Sequence, residues 1–181
     1  MRLRRTEYPN LVRSVKRRIE LSTQVELLNP ILGAAAAVIA GTIDELPAKG
    51  QISLLNQSVT SQQVNVIVRG AGQISGIVMV GMSFITADRI ASQMLDQAIK
   101  SFDQHAANAI AELVSRVGLQ AKSLLQECGI ACEFSSPAVI KGTRVELPDL
   151  CIPAIVVPLA TSLGEIHLTV GLRKLAMTSA A

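Results

Sequence analysis

One segment limits the possible folds more than any other. Between residues 103 and 128, Ala106, Ile110, Leu113, Val114, Val117, Ala121, Leu124, Leu125 and Cys128 recur at the spacing of a single helical stripe. A helix with so broad an apolar stripe must bury it against another layer. Ser101 or Asp103 is placed to cap its start, and Gly129 to close its end. Opposite the stripe stand His105, Asn108, Glu112, Ser115, Arg116 and Leu119, so Glu112 is predicted at the centre of the outward face. Asn108 falls one turn before it and Ser115 about one turn after. Spacing alone gives a solvated face.

The covering layer is predicted to be a sheet. Short apolar runs at residues 52–55, 64–68 and 74–80, and again at 131–134, 152–159 and 166–172, are bounded by Gly, Pro and polar residues and read as strands. Val64, Val66 and Val68 alternate with Asn65, Ile67 and Arg69, which predicts one covered and one mostly wet face. Gly70-Ala71-Gly72 reads as a turn. Asn29 is predicted as the N-cap and Pro30 as the first residue of an earlier helix ending at Gly41, with another helix over 86–99 capped by Thr86. The order helix, three strands, helix, helix, three strands divides into two similar halves near residues 98–103. The expected fold is α+β, an antiparallel β-sheet with long helices packed on one face. The expected organisation is a basic N-terminal arm or helix extension over 1–24, one domain over 25–174 and a flexible tail over 175–181.

Composition narrows the chemistry. Hydrophobic residues make up 49% and aromatics 2%, with no Trp, so the core is aliphatic and surfaces that depend on stacked rings are excluded. Within residues 1–20, seven basic side chains face two acidic ones, whereas the remainder is slightly acidic. Such a stretch suits nucleic acid or an anionic membrane, or is simply a solvated helix. Cys128, Cys132 and Cys151 read as reduced thiols of a cytoplasmic protein, the first two small and buried, and no metal site is expected because neither histidine stands at ligand spacing. The longest apolar run, 31–40, is about half of the ~20 residues a membrane-spanning helix needs. No phosphate-loop or dinucleotide-binding glycine pattern is present.

The segment from Ser101-Phe-Asp through Asn108-Ala-Ile-Ala-Glu112-Leu-Val-Ser115 to Lys122, followed by Gly129, Ser136-Pro137-Ala-Val-Ile140 and Gly142, resembles the CheX and CheC family of bacterial chemotaxis phosphatases. Asn29-Pro30 and Gly81-Met-Ser83 before Ala87 to Leu95 extend the similarity to roughly residues 25–172. The resemblance implies a helix that presents Glu-x-x-Asn to a phosphorylated response regulator of the CheY type. Glu112 would then pair with a lysine of the regulator. The residue three positions on would orient the water that attacks the aspartyl phosphate, with Asn108, Arg116 and Leu119 as further partner contacts. The Mg²⁺ would belong to the regulator, so no cofactor of its own is implied. A homodimer is also implied.

This chain departs from the motif at one place: Ser115 stands where the family has Asn. A hydroxyl is shorter than a planar amide and offers one donor in place of two. Misplacing the attacking water by about 1 Å costs on the order of a hundredfold in rate. The expectations are therefore a slow aspartyl-phosphate phosphatase or a non-catalytic receiver-binding module, with a basic-arm binder of nucleic acid or membrane as another alternative. Glu26-Leu-Leu-Asn29 also spells Glu-x-x-Asn, but Pro30 predicts that Glu26 precedes the first helix.

Overall fold

The structure, a computed structural model, describes residues 8–176. Their elements run α1 (Tyr8–Ile43), β1 (Ala48–Lys49), β2 (Ser53–Leu55), β3 (Val64–Gly72), β4 (Ile74–Met82), α2 (Phe84–Leu95), α3 (Gln104–Glu127), β5 (Cys132–Phe134), β6 (Ala138–Lys141), β7 (Ala154–Thr161) and β8 (Gly164–Lys174). The strands form one antiparallel sheet in the order β1-β7-β8-β4-β3-β5, with β2 also on β7 and β6 also on β3. Exchanging β1 to β4 with β5 to β8 leaves this pattern unchanged. Each half lends its two short strands to the other half's third strand, and the halves meet along β4 and β8. The two-half reading of the element order thus has its counterpart in the pairing, and α2 is the element without a twin.

Helices α1 and α3 cover one sheet face. Leu27, Ile31 and Ala35 of α1 and Ile110, Leu113 and Val117 of α3 join Val66, Val80, Val157 and Leu168 in a continuous aliphatic core. The opposite face is drier than the alternation in β3 predicts. Ile67, Ile77 and Met79 are buried there beneath Leu147 and Leu150, because the chain between β6 and β7 folds back over the central strands. Ile67, which breaks the alternation, is the residue that needs this cover.

The predicted start of the first helix is wrong. Helix α1 passes straight through Pro30, so Asn29 is no N-cap and Glu26 lies within the helix. Proline removes one backbone hydrogen bond, but Leu27 and Leu28, 0% and 5% exposed, reach the core only in helical phase with Ile31. Tertiary burial overrides the local break signal. Of the basic stretch, Arg13, Lys16, Arg17 and Arg18 fall in this helix. Arg2, Arg4 and Arg5, and residues 177–181 of the predicted tail, lie outside the described residues. The part of α1 over Leu21–Ile43 is long and apolar enough to cross a membrane by length and composition; its inner side is packed on α3 and β8 instead.

Other boundaries also shift. Gly70-Ala71-Gly72 belongs to β3 and pairs with Cys132–Phe134 of β5, so the turn into β4 comes at Gln73. The two-residue β1 and the strand β6 are further strands, which the apolar runs do not predict. Ser83, not Thr86, caps α2, its hydroxyl accepting from the Thr86 N–H, and the helix stops at Leu95 with Asp96 in the left-handed region. Cys132 is buried, and burial pushes its thiol above the ordinary value, whereas Cys128 is exposed at the end of α3. The predicted stripe runs to Cys128, one residue beyond the end of the helix.

At the start of α3 the expected cap is found: Asp103 Oδ1 accepts from the Ala106 N–H at 3.0 Å. That bond holds the Asp103 carboxyl below its ordinary value. Because the folded state has the lower pKa, the cap's stabilisation is present above the unfolded value and is lost as pH falls through the folded one. Asp88 on α2 has the opposite sign, raised by burial and then by the charge of Asp103. Asp103→Asn keeps a capping oxygen but cannot titrate, so its unfolding free energy in urea should fall less than wild type between pH 7 and pH 3. Equal losses in the two proteins would remove Asp103 from the acid response.

Candidate functional site

Helix α3 is wedged between α1, α2 and strands β3 and β5. Ala106, Ile110, Leu113, Val114, Val117, Ala121 and Leu125 are buried on its inner side. Gly118 faces β5, where an added Cβ would be in ordinary contact with Phe134, 3.5 Å from its Cβ. With the inner stripe locked, the phase of the outer face is set. Glu112, Arg116 and Leu119 stand exposed along it, Leu119 at 66%. Asn108 is exposed one turn before Glu112, where its Oδ1 accepts from the Gln104 amide at 2.9 Å. Ser115 is half-buried, at the edge of this face.

The surroundings of Ser115 could not be read from helix spacing. It opens on a cleft of about 160 Å³ between α3 and the segment that leaves β5, lined by Leu119, Lys122, Phe134, Ser136 and Pro137 among others. Lys122 Nζ lies 2.5 Å from Glu133 Oε1 across that cleft. Ser136 and Pro137 therefore form the far wall of the place where Ser115 sits. These residues are about twenty positions apart in the chain, and only the pairing of β5 with β3 brings them to the helix.

Glu112 has an intramolecular partner. Its Oε1 accepts from Arg116 Nε at 3.0 Å, with both side chains more than half exposed. An exposed pair one helical turn apart contributes about 0.3–0.5 kcal/mol, which a docking partner can readily displace. One carboxylate oxygen remains outside the pair, and among the described residues no other chain segment buries the group.

Glu26 does not precede the first helix as Pro30 predicts but lies within α1 together with Asn29. Both residues are exposed on α1, one turn apart. Glu26 lies 3.5 Å from Lys174 at the end of β8. Among the described residues, no three His, Cys, Asp or Glu side chains gather to hold a metal ion.

Comparison with solved structures gives the same architecture. A CheC-like superfamily protein from Shewanella sp. PV-4 superimposes with a TM-score of 0.73 at 20% identity, covering 82% of this chain and 98% of the other. The chemotaxis protein CheX from Desulfovibrio desulfuricans gives 0.72 at 23% identity, over 83% and 99%. CheX from Borrelia burgdorferi, solved as a CheX-CheY-BeF3-Mg²⁺ complex, gives 0.68 at 22% identity, over 81% and 97%. No curated protein matches the sequence. The family model described as "Chemotaxis phosphatase CheX" matches residues 64–159, a stretch that contains all of α3 and its flanking strands but none of α1. With more than half of the chain inside that model and the surrounding fold agreeing, this protein belongs to the CheX family.

Proposed function

We propose that the outer face of α3 docks on a phosphorylated receiver domain of the CheY type. Glu112 grips a lysine of the receiver beside the phosphoryl group, and Ser115 takes the place from which the family's amide orients water. Asn108 and Leu119 flank the contact, polar on one side and apolar on the other. The observation that carries this reading is the position of Glu112, exposed at the middle of a rigid helix, with Ser115 one turn on and opening into a cleft. The Borrelia CheX of the same fold was solved with CheY. The receiver would supply the Mg²⁺, and it would place this protein in the cytoplasm.

Phosphoryl transfer to water gains mainly from alignment and charge placement, with little covalent work for the protein. A hydroxyl at position 115 holds a water closer to the helix and with fewer donors than an amide, so hydrolysis is slow and the face works chiefly as a binding surface. The second reading, a receiver-binding module with no catalysis, is favoured by the same serine. Between the two helices with an outward glutamate, α3 is preferred because it alone lies inside the matched family model.

The test is phosphate release from phosphorylated CheY-type receivers, run beside binding. Binding that is lost in Glu112→Ala, with release only slightly accelerated by wild type, supports the docking reading. Undiminished binding by Glu112→Ala would move the contact elsewhere.

A further inference from the structure

The ion pair on α3 has more to offer a receiver than its carboxylate. Arg116 spends Nε on Glu112 and is 53% exposed, so the terminal nitrogens of its guanidinium, with their remaining donors, are not used by that contact. The other basic residues along the helix are engaged elsewhere: His105 lies 3.7 Å from Asp103 at the capped end, and Lys122, in the wall of the cleft, is tied to Glu133. Arg116 is the basic residue that pairs with Glu112, and it follows Ser115 directly in the helix.

Charge complementarity gives this placement a consequence. On the reading above, the receiver presents a lysine ammonium beside a phosphoryl group. The helix presents a carboxylate beside a guanidinium, one turn apart and already paired, which matches that arrangement with signs reversed. A guanidinium is a planar fork suited to bidentate contact with phosphoryl oxygens, and the bond to Glu112 restricts its orientation before docking. We propose that Arg116 binds the phosphoryl oxygens of the docked receiver and so makes this face selective for the phosphorylated form. It neutralises the group in its bound state without supplying an aligned water, so its contribution is to affinity and not to turnover. This inference rests on the docking reading of α3 and goes beyond it, because the family motif assigns no phosphoryl contact to this position.

The experiment measures dissociation constants of wild type, Arg116→Ala and Arg116→Lys for a CheY-type receiver with Mg²⁺, each with and without beryllofluoride as the phosphoryl mimic. Wild type should prefer the beryllofluoride form. Arg116→Ala should weaken that form about tenfold to a hundredfold, as loss of a charge-assisted contact would, and change the Mg²⁺-only form far less. Arg116→Lys should recover part of the difference. Equal or tighter binding of the beryllofluoride form by Arg116→Ala overturns the proposal and makes the arginine a mere competitor for Glu112. Equal weakening of both forms also overturns it, because the arginine would then support docking without reading the phosphoryl group. If wild type binds neither form, the docking reading itself fails and carries this inference down with it.

Discussion

Ser115→Asn is expected to raise phosphate release from a phosphorylated CheY-type receiver by about a hundredfold over the wild-type protein, the scale set by restoring a misplaced water to line. Ser115 lies beside a cleft of about 160 Å³ with Ser136 and Pro137 on its far side, so there is room for two further heavy atoms at this edge of the helix. The change is on a half-buried position of a well-anchored helix and should leave the fold intact. Single-turnover release with the receiver in excess Mg²⁺ reads the rate. If the asparagine protein binds the receiver as well as wild type but is no faster, something other than the missing amide limits catalysis.

The second large effect concerns the scaffold. Ile110 is fully buried where α3 meets the sheet, on the opposite side of the helix from Glu112. Ile110→Ala should cost about 2–5 kcal/mol, the transfer term plus the cavity left behind. For a chain of this size each kcal/mol lowers Tm by about 2–4 °C. Glu112→Ala, by contrast, removes only an exposed ion pair and should shift Tm by no more than a degree or two. Thermal unfolding of the two variants side by side separates the inner stripe from the outer face. Similar losses in both would mean that the outer face is part of the fold's support.

The parts of the fold that were legible in the sequence are those where local signals and burial agree. Helix α3 has its cap at Asp103, its inner stripe as far as Leu125 and Gly129 in the left-handed region just past its end, and these fall where the spacing puts them; only Cys128, exposed beyond the last turn, does not. The central strands β4 and β8 likewise follow their apolar runs. The failures come where long-range packing outvotes a local cue. Pro30 reads as a helix start until Leu27 and Leu28 are seen buried against the core. Gly70 and Gly72 read as a turn until β5 is seen paired with them. Strand β6 is no more than a short edge element after Pro137, and its pairing with β3 cannot be inferred from its own residues.

For the candidate site, the outward direction of Glu112, Arg116 and Leu119 follows from helical periodicity alone, and so does the reach of Arg116 to Glu112 one turn away. The cleft beside Ser115 does not. Its far wall comes from the segment after β5, and no periodicity within α3 announces what a separate strand will bring alongside.

The central claim is that the carboxylate at position 112 grips the receiver, and reversing its charge tests this most directly. Affinity for the beryllofluoride-activated CheY-type receiver should fall by about a hundredfold or more in Glu112→Lys, since a like charge would face the receiver's lysine, while circular dichroism and Tm stay near wild type. A Glu112→Lys protein that binds the activated receiver as tightly as wild type would contradict the account.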